Sequence, residues 1–264
     1  MKTQFETLML SSPAPHVTVV TMNRPQAMNA MNTTMMEELR DCFAALYVEP
    51  DAARCLILTG AGERAFCAGA DLKERDGMTD ATWRRQHAIV EQTIRALIDC
   101  PLPIIAAVNG AAFAGGCELA LACDFIYAAD HARFAQTEVA LGIIPGAMGT
   151  QNMPRAVGVR RAKEVILSGQ PFTAADALAW GLANRVVPQA QLLDEVIAVA
   201  TRIAGNAPIA VRQAKRSIDK ATDIDRSNGY SFEIEAYNRT VGTADRLEGI
   251  ASFNEKRKPE FKGR

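Results

Sequence analysis

Residues 101–124 read PLPIIAAVNGAAFAGGCELALACD. Within them Ile104–Val108 is a short, wholly apolar run, as in a strand buried on both faces of a sheet. A Gly- and Ala-rich turn follows, and the pair Gly115-Gly116 opens a short helix. Free backbone N–H groups and the positive end of the helix dipole then point at whatever lies in front of Gly115. Strand, small-residue turn and helix in succession mark an α/β fold.

The same alternation extends to either side. His16–Met22 (HVTVVTM), Cys55–Thr59 (CLILT) and Phe125–Ala128 (FIYA) are further predicted strands. Thr33–Tyr47 and Thr79–Ile98 carry helical spacing, the first opening at Asn32 or Thr33 as N-cap with Glu37 in its first turn. From about Ala156 onward the strand signals fade. Residues 160–167, 173–180, 191–204, 208–220 and 227–240 are predicted helices, with Gly181 and Gly205 as stops. The expected layout is an α/β core over residues 1–195 and a helical carboxy-terminal region over 196–264, without repeat, linker or low-complexity tract.

Two glutamates stand out by isolation. Glu118 is the only charged side chain from Pro101 to Cys123, and Glu138 the only one from Phe134 to Pro154. Burying a carboxylate costs several kcal/mol unless something compensates, and it lifts the pKa toward neutrality, where the group can both give and take protons. Two such groups close in sequence suggest paired acid/base chemistry. On spacing alone, however, a single Glu in an apolar helix more often serves a structural ion pair.

Composition narrows the alternatives. A chain of 264 residues, 48 % hydrophobic and 22 % charged, has the make-up of a globular protein with a sizeable core. Its 29 basic and 30 acidic residues give no general attraction to nucleic acid or anionic membrane. The six cysteines form no CxxC pair and sit among apolar neighbours, as reduced core thiols do, so neither a disulfide framework nor a metal site is expected. The start, Met1 to Glu6, has neither a secretory nor a transit build, and no apolar run is long enough to span a bilayer; cytoplasm is the expected compartment.

A second small-residue loop follows the strand ending at Thr59: Gly60-Ala61-Gly62-Glu63-Arg64-Ala65-Phe66-Cys67-Ala68-Gly69-Ala70-Asp71-Leu72. Small residues around Gly69 let a ligand approach the backbone closely. Backbone N–H groups from this loop and from the Gly115 turn, converging on one oxygen, would make an oxyanion hole.

Blocks along the whole chain carry a resemblance. Ala68-Gly69-Ala70-Asp71-Leu72, Gly115-Gly116-Cys117-Glu118-Leu119-Ala120 with Ala122-Cys123-Asp124, Glu138 through Gly146, Arg155-Ala156-Val157-Gly158, and the ends Asn23 through Ala30 and Glu255 through Lys262 resemble the enoyl-CoA hydratase/isomerase (crotonase) superfamily over nearly the whole chain. The resemblance implies a spiral of ββα units with a helical tail that builds trimers pairing into hexamers. It implies an acyl-CoA thioester as substrate, no cofactor beyond the CoA of that substrate, and an enolate held by the backbone N–H groups of Ala70 and Gly115. Glutamates at both acidic positions, Glu118 and Glu138, point to hydration of an enoyl-CoA. In that reading Glu118 orients and deprotonates water, Glu138 protonates C2, and Gly146 lies beside the water. Ala27, Met28, Ala68, Asp71 and Leu72 fall at CoA-gripping positions, as do Tyr237 and Lys256 in the tail, and Asp71 reads as structural or ligand-gripping.

Two alternatives remain at this level: an isomerase or other acyl-CoA reaction needing only Glu138, and a non-catalytic RNA-binding scaffold, disfavoured by the neutral charge. Ala114, Thr137, Met148 and Asn152 depart from the family pattern. Met148 is expected to narrow the acyl pocket, with Met78 and Trp83 on the other wall. His16, His87 and His131 follow no triad or metal pattern, and His87, in a polar helix with Arg84 and Arg85, reads as a solvated face.

Overall fold

The computed structural model describes residues 4–264; Met1, Lys2 and Thr3, the first residues of the segment read above for a leader, lie outside it. Strands β1 (Leu8–Ala14) and β2 (Val17–Met22) form an antiparallel hairpin. Helix α1 (Thr33–Val48) follows, capped by Asn32, whose side chain accepts the Met35 N–H at 3.0 Å. Its buried stripe of Met35, Leu39, Phe43 and Leu46 keeps helical spacing.

Three turns of a spiral come next. The first contributes β3 (Cys55–Gly60), β4 (Ala65–Cys67), the short α2 (Leu72–Arg75) and the long α3 (Asp80–Ile98). The second contributes β5 (Ile104–Val108), β6 (Ala111–Phe113) and α4 (Gly115–Leu121). The third contributes β7 (Phe125–Ala129), β8 (Arg133–Ala135), a 3-10 turn at Glu138–Leu141 and α5 (Gly149–Val157). Then follow α6 (Val159–Ser168), β9 (Phe172–Thr173), α7 (Ala174–Ala179), β10 (Arg185–Val187) and α8 (Gln189–Ala204). The chain closes with α9 (Pro208–Lys220), α10 (Arg226–Val241) and α11 (Ala244–Asn254).

Each ββα turn places its first strand in one sheet and its second in another. The larger sheet has the order β1-β2-β3-β5-β7-β10, parallel from β2 onward, and the smaller has the order β4-β6-β8-β9. All six residues of β3 and all five of β5 are buried, as expected for parallel strands covered on both faces. Helices α1 and α3 pack on each other, Thr93 donating its hydroxyl to the Met36 carbonyl at 2.8 Å, and α8 lies across β3, β5 and β7. The four strands expected from apolar runs form within a residue or so of their predicted ends. The strands β9 and β10 form where no apolar run announced a strand.

The division after residue 195 falls inside α8. Beyond it the ion pair of Lys215 with Asp124, 2.8 Å, ties α9 to the start of β7, and Asp245 accepts the N–H groups of Lys262 and Gly263. All six cysteines are buried and unpaired. Burial pushes the thiols of Cys42, Cys55, Cys67 and Cys117 up to about 12 and that of Cys100 to about 11, and raises Cys123 as well.

The turns of the spiral are joined where β3 and β5 end. The buried Asn109 side chain donates to the carbonyls of Gly60 and Gly62 at 2.9 and 2.6 Å and accepts the Gly60 N–H at 3.1 Å. Asn109→Ala strands the buried N–H and carbonyl of Gly60 away from water. It is expected to lower stability by about 2 to 4 kcal/mol, read as a drop in the urea midpoint at constant slope; a change within experimental error would refute this role.

Candidate functional site

The two glycine-rich loops meet back to back. A Cβ built on Gly116 would fall onto the Cys67 carbonyl, and one on Gly69, whose φ is +98°, would lie 3.3 Å from the Gly115 nitrogen. The opening loop is tied to the same place. Met31 donates its N–H to the Gly69 carbonyl, Asp71 donates its own to the Met31 carbonyl, and Arg24 pairs with Asp71 at 2.8 Å. Asp71 also caps α2 by accepting the N–H groups of Lys73 and Glu74. Burial pushes its carboxyl up, but Arg24 and the cap amides outweigh this and hold it below the usual range, the signature of a structural anion.

This frame leaves two donors free. A Cβ on Gly115 would lie 3.9 Å from the Ala70 nitrogen, so the two backbone groups face one spot, and among the described residues no hydrogen bond takes the N–H of either. Gly115 is the first residue of α4, so its N–H is one of the groups a helix start cannot satisfy internally. Ala114 just before it holds φ 50° and ψ −125°, a strained conformation for any residue but glycine, and this strain sets the turn that exposes the Gly115 N–H.

Glu118 and Glu138 flank that spot. Glu118, one turn into α4, is 2 % exposed, and its Oε1 accepts the N–H groups of Ala147 and Gly149, each at 2.8 Å. Between those two residues Met148 takes φ 71°, the left-handed twist that turns successive amides onto one anion. Met148 therefore does not narrow the cavity, as its sequence position suggested. Its side chain packs against the core, and its backbone builds the cradle of Glu118. Glu138 opens the 3-10 turn at 6 % exposure, and both of its carboxylate oxygens are buried without a hydrogen-bond partner among the described residues.

Electrostatics couple the pair. Burial first and the charge of Glu138 second push Glu118 up to about 7, against the pull of its two amides. Burial raises Glu138 as well. The two carboxyls therefore titrate as a coupled pair, and their protonation belongs to the pair rather than to either residue.

The donors and the acids share a cavity of about 540 Å³. Ala68, Ala70, Leu72 and Gly115 form its floor, Leu141, Ile143, Ile144 and Pro145 one apolar wall, and Gly146 lies on its rim. The opposite wall comes from α2 and α3: Trp83 is there as expected, but Met78 is not, and Arg75, Arg84 and His87 are. His87 is therefore not a solvated face. A Cβ on Gly146 would lie 2.5 Å from its Cε1, so the imidazole rests on the glycine beside the two acids. Helical polarity could not show this, because residues 84–87 read RRQH and give α3 no apolar side there. Ala27 and Met28 lie behind the floor, where the Met28 carbonyl accepts the Ala68 N–H, while Tyr237, on α10, and Lys256, in the turn after α11, are exposed and line no part of this cavity. A second cavity of similar size near α9 contains Asp124 and Lys215, already paired with each other. Among the described residues no cluster of three or more His, Cys, Asp or Glu is arranged to hold a metal, and no helix is long and apolar enough to cross a membrane.

The raised Glu118 pKa makes stability depend on pH. In the unfolded chain the carboxyl titrates near 4.5 and in the fold near 7, so between these values the folded state binds the extra proton. Its contribution is complete below about pH 4.5 and is lost as pH rises through 7, leaving the wild type up to about 3 kcal/mol less stable at alkaline pH than a neutral side chain would. Glu118→Gln keeps an acceptor for both amides and removes the titration. Its melting temperature is expected to exceed the wild type's by several degrees at pH 8, with the gap closing toward pH 4.5; a gap independent of pH would contradict the burial argument.

Comparison with known proteins agrees with the geometry. The sequence pattern of the enoyl-CoA hydratase/isomerase family matches residues 14–264. The short-chain-enoyl-CoA hydratase of Clostridium acetobutylicum is 40 % identical over 94 % of this chain and 95 % of its own length. The crotonyl-CoA hydratase of Syntrophomonas wolfei is 41 % identical over 92 % and 93 % respectively. The crystal structure of an enoyl-CoA hydratase from Bacillus anthracis superposes with a TM-score of 0.96 at 44 % identity, covering 98 % of this chain and all of that one. With its spiral of ββα turns, paired amides and paired glutamates, the chain belongs to the enoyl-CoA hydratase/isomerase family.

Proposed function

We propose that the protein is an enoyl-CoA hydratase that adds water across the 2,3-double bond of an enoyl-CoA thioester. The observation that carries this reading is the convergence, in one cavity, of two unengaged backbone N–H groups and two buried, electrostatically coupled carboxyls. The thioester oxygen sits against the Ala70 and Gly115 N–H groups, which meet the negative charge that develops there as the enolate forms. Losing one such donor typically costs about 3 to 4 kcal/mol.

The environments of the two acids differ, and this sorts their roles. Two amides orient the Glu118 carboxyl, and in the reacting arrangement the proton lies on Glu138, whose oxygens no hydrogen bond holds in place among the described residues. Glu118 orients a water and accepts its proton as the water oxygen bonds to C3; Glu138 delivers its proton to C2 as the enolate collapses. Proton transfer from Glu118 to Glu138 then restores the starting state. The reading needs no cofactor beyond the CoA of the substrate. Ala68, Asp71 and Leu72 support its grip on the CoA arm, Ala27 and Met28 from behind.

The same reading takes the tail after residue 195 as the surface that builds trimers and hexamers. In support, Tyr230, Ile234, Leu247, Ile250 and Phe253 are all exposed on α10 and α11, more apolar surface than a solvated helix pair requires. Tyr237 and Lys256 then reach the CoA of a neighbouring subunit, and the assembly works in the cytoplasm.

The test is loss of the conjugated thioester absorbance of crotonyl-CoA. Glu118→Gln and Glu138→Gln are each expected to cut kcat by at least about 100-fold. No hydration, with a 3-enoyl-CoA converted to its conjugated isomer equally by wild type and Glu118→Gln, would mean an isomerase or another single-acid acyl-CoA reaction. Salt-sensitive retention on RNA by a protein inactive on acyl-CoAs would mean a binding scaffold.

A further inference from the structure

The wall of the cavity facing the apolar loop is unusual for an acyl pocket: its polar side chains are all nitrogen groups. Arg75 is the best defined. Its Nε donates to Gln86 Oε1 at 2.7 Å, and the buried Gln86 is itself fixed by Thr33 Oγ1 and Glu74 Oε2 at 2.9 and 2.8 Å. The guanidinium lies over the Trp83 ring, 4.4 Å from its centre. The neighbouring Glu74 engages the Thr33 N–H and the Gln86 amide instead of pairing with Arg75. Among the described residues the two terminal nitrogens of Arg75 have no acceptor. A half-buried guanidinium held by its Nε, flat on an indole, presents the other edge of its fork to the cavity, the geometry that binds a carboxylate.

His87 stands between this cation and the reacting centre. It rests on Gly146, its ring nitrogens make no hydrogen bond among the described residues, and it lies one helical turn from Trp83, about 6 Å along α3. An acyl chain that leaves the two acids past His87 therefore runs toward Arg75, where charge-assisted hydrogen bonds to the free edge of its fork meet a carboxylate at the chain's end.

We propose that the preferred substrate is an enoyl-CoA whose acyl chain ends in a carboxylate, received by Arg75 with His87 alongside. This rests on the hydratase reading and names the class of acyl group that the site takes.

The experiment compares two thioesters of equal shape, (2E)-4-carboxybut-2-enoyl-CoA and its uncharged isostere (2E)-5-methylhex-2-enoyl-CoA. Both carry the same CoA, so whatever Arg75 contributes to CoA binding cancels in the ratio of their kcat/KM values. The wild type is expected to favour the carboxylate. Arg75→Gln should lower that ratio about 10- to 100-fold, while Arg75→Lys, which keeps the charge but not the fork, should lower it less. A wild-type ratio below one, or a ratio that Arg75→Gln leaves unchanged, overturns the proposal while hydration of the isostere leaves the hydratase reading standing. Absence of hydration with both thioesters overturns the hydratase reading and the proposal with it.

Discussion

The site depends on one close approach of backbone to backbone. Where the turn before α4 crosses the loop after β4, Gly116 lies against the Cys67 carbonyl with no space for a Cβ, and Gly60 and Gly110 are equally confined against residues 64–66. This packing brings the Ala70 and Gly115 amides together, and it fixes the start of α4 and hence Glu118. A side chain at any of the three glycines must push the loops apart. The donors are therefore exact only because the backbones touch, and the chemistry is set by main-chain geometry more than by side-chain identity.

Against this rigid frame the two glutamates hold an unfavourable position on purpose. Each is deeply buried, they repel when both are ionised, and only one has amides to stabilise its charge. The fold gives up stability at neutral pH to hold two coupled carboxyls beside the backbone donors. Strain at Ala114 and the left-handed Met148 belong to the same account, since one exposes the Gly115 N–H and the other turns two amides onto Glu118.

Much of this was legible in the sequence. Buried parallel strands such as β3 and β5 are continuous apolar runs, and isolated charges in apolar stretches marked both acids. The small second sheet was not legible: β4, β6 and β8 are three residues each, too short to show any period, and β9 and β10 are held by their neighbours rather than by their own composition. Met148 misled because a large apolar side chain suggests a pocket wall, whereas its backbone twist is what matters there. His87 and Arg75 were hidden for the opposite reason, as polar residues in a polar stretch give no sign that their helix face looks into a cavity.

The six cysteines carry a last consequence. They are distributed over α1, β3, β4, the ends of α3 and α4, and α4 itself, all buried with thiols pushed far above neutral titration. Since only the thiolate reacts, a thiol reagent meets an inert molecule until an element opens. Each cysteine is thus a chemical clock for its own segment, and the order in which the six become reactive records the sequence in which the spiral comes apart.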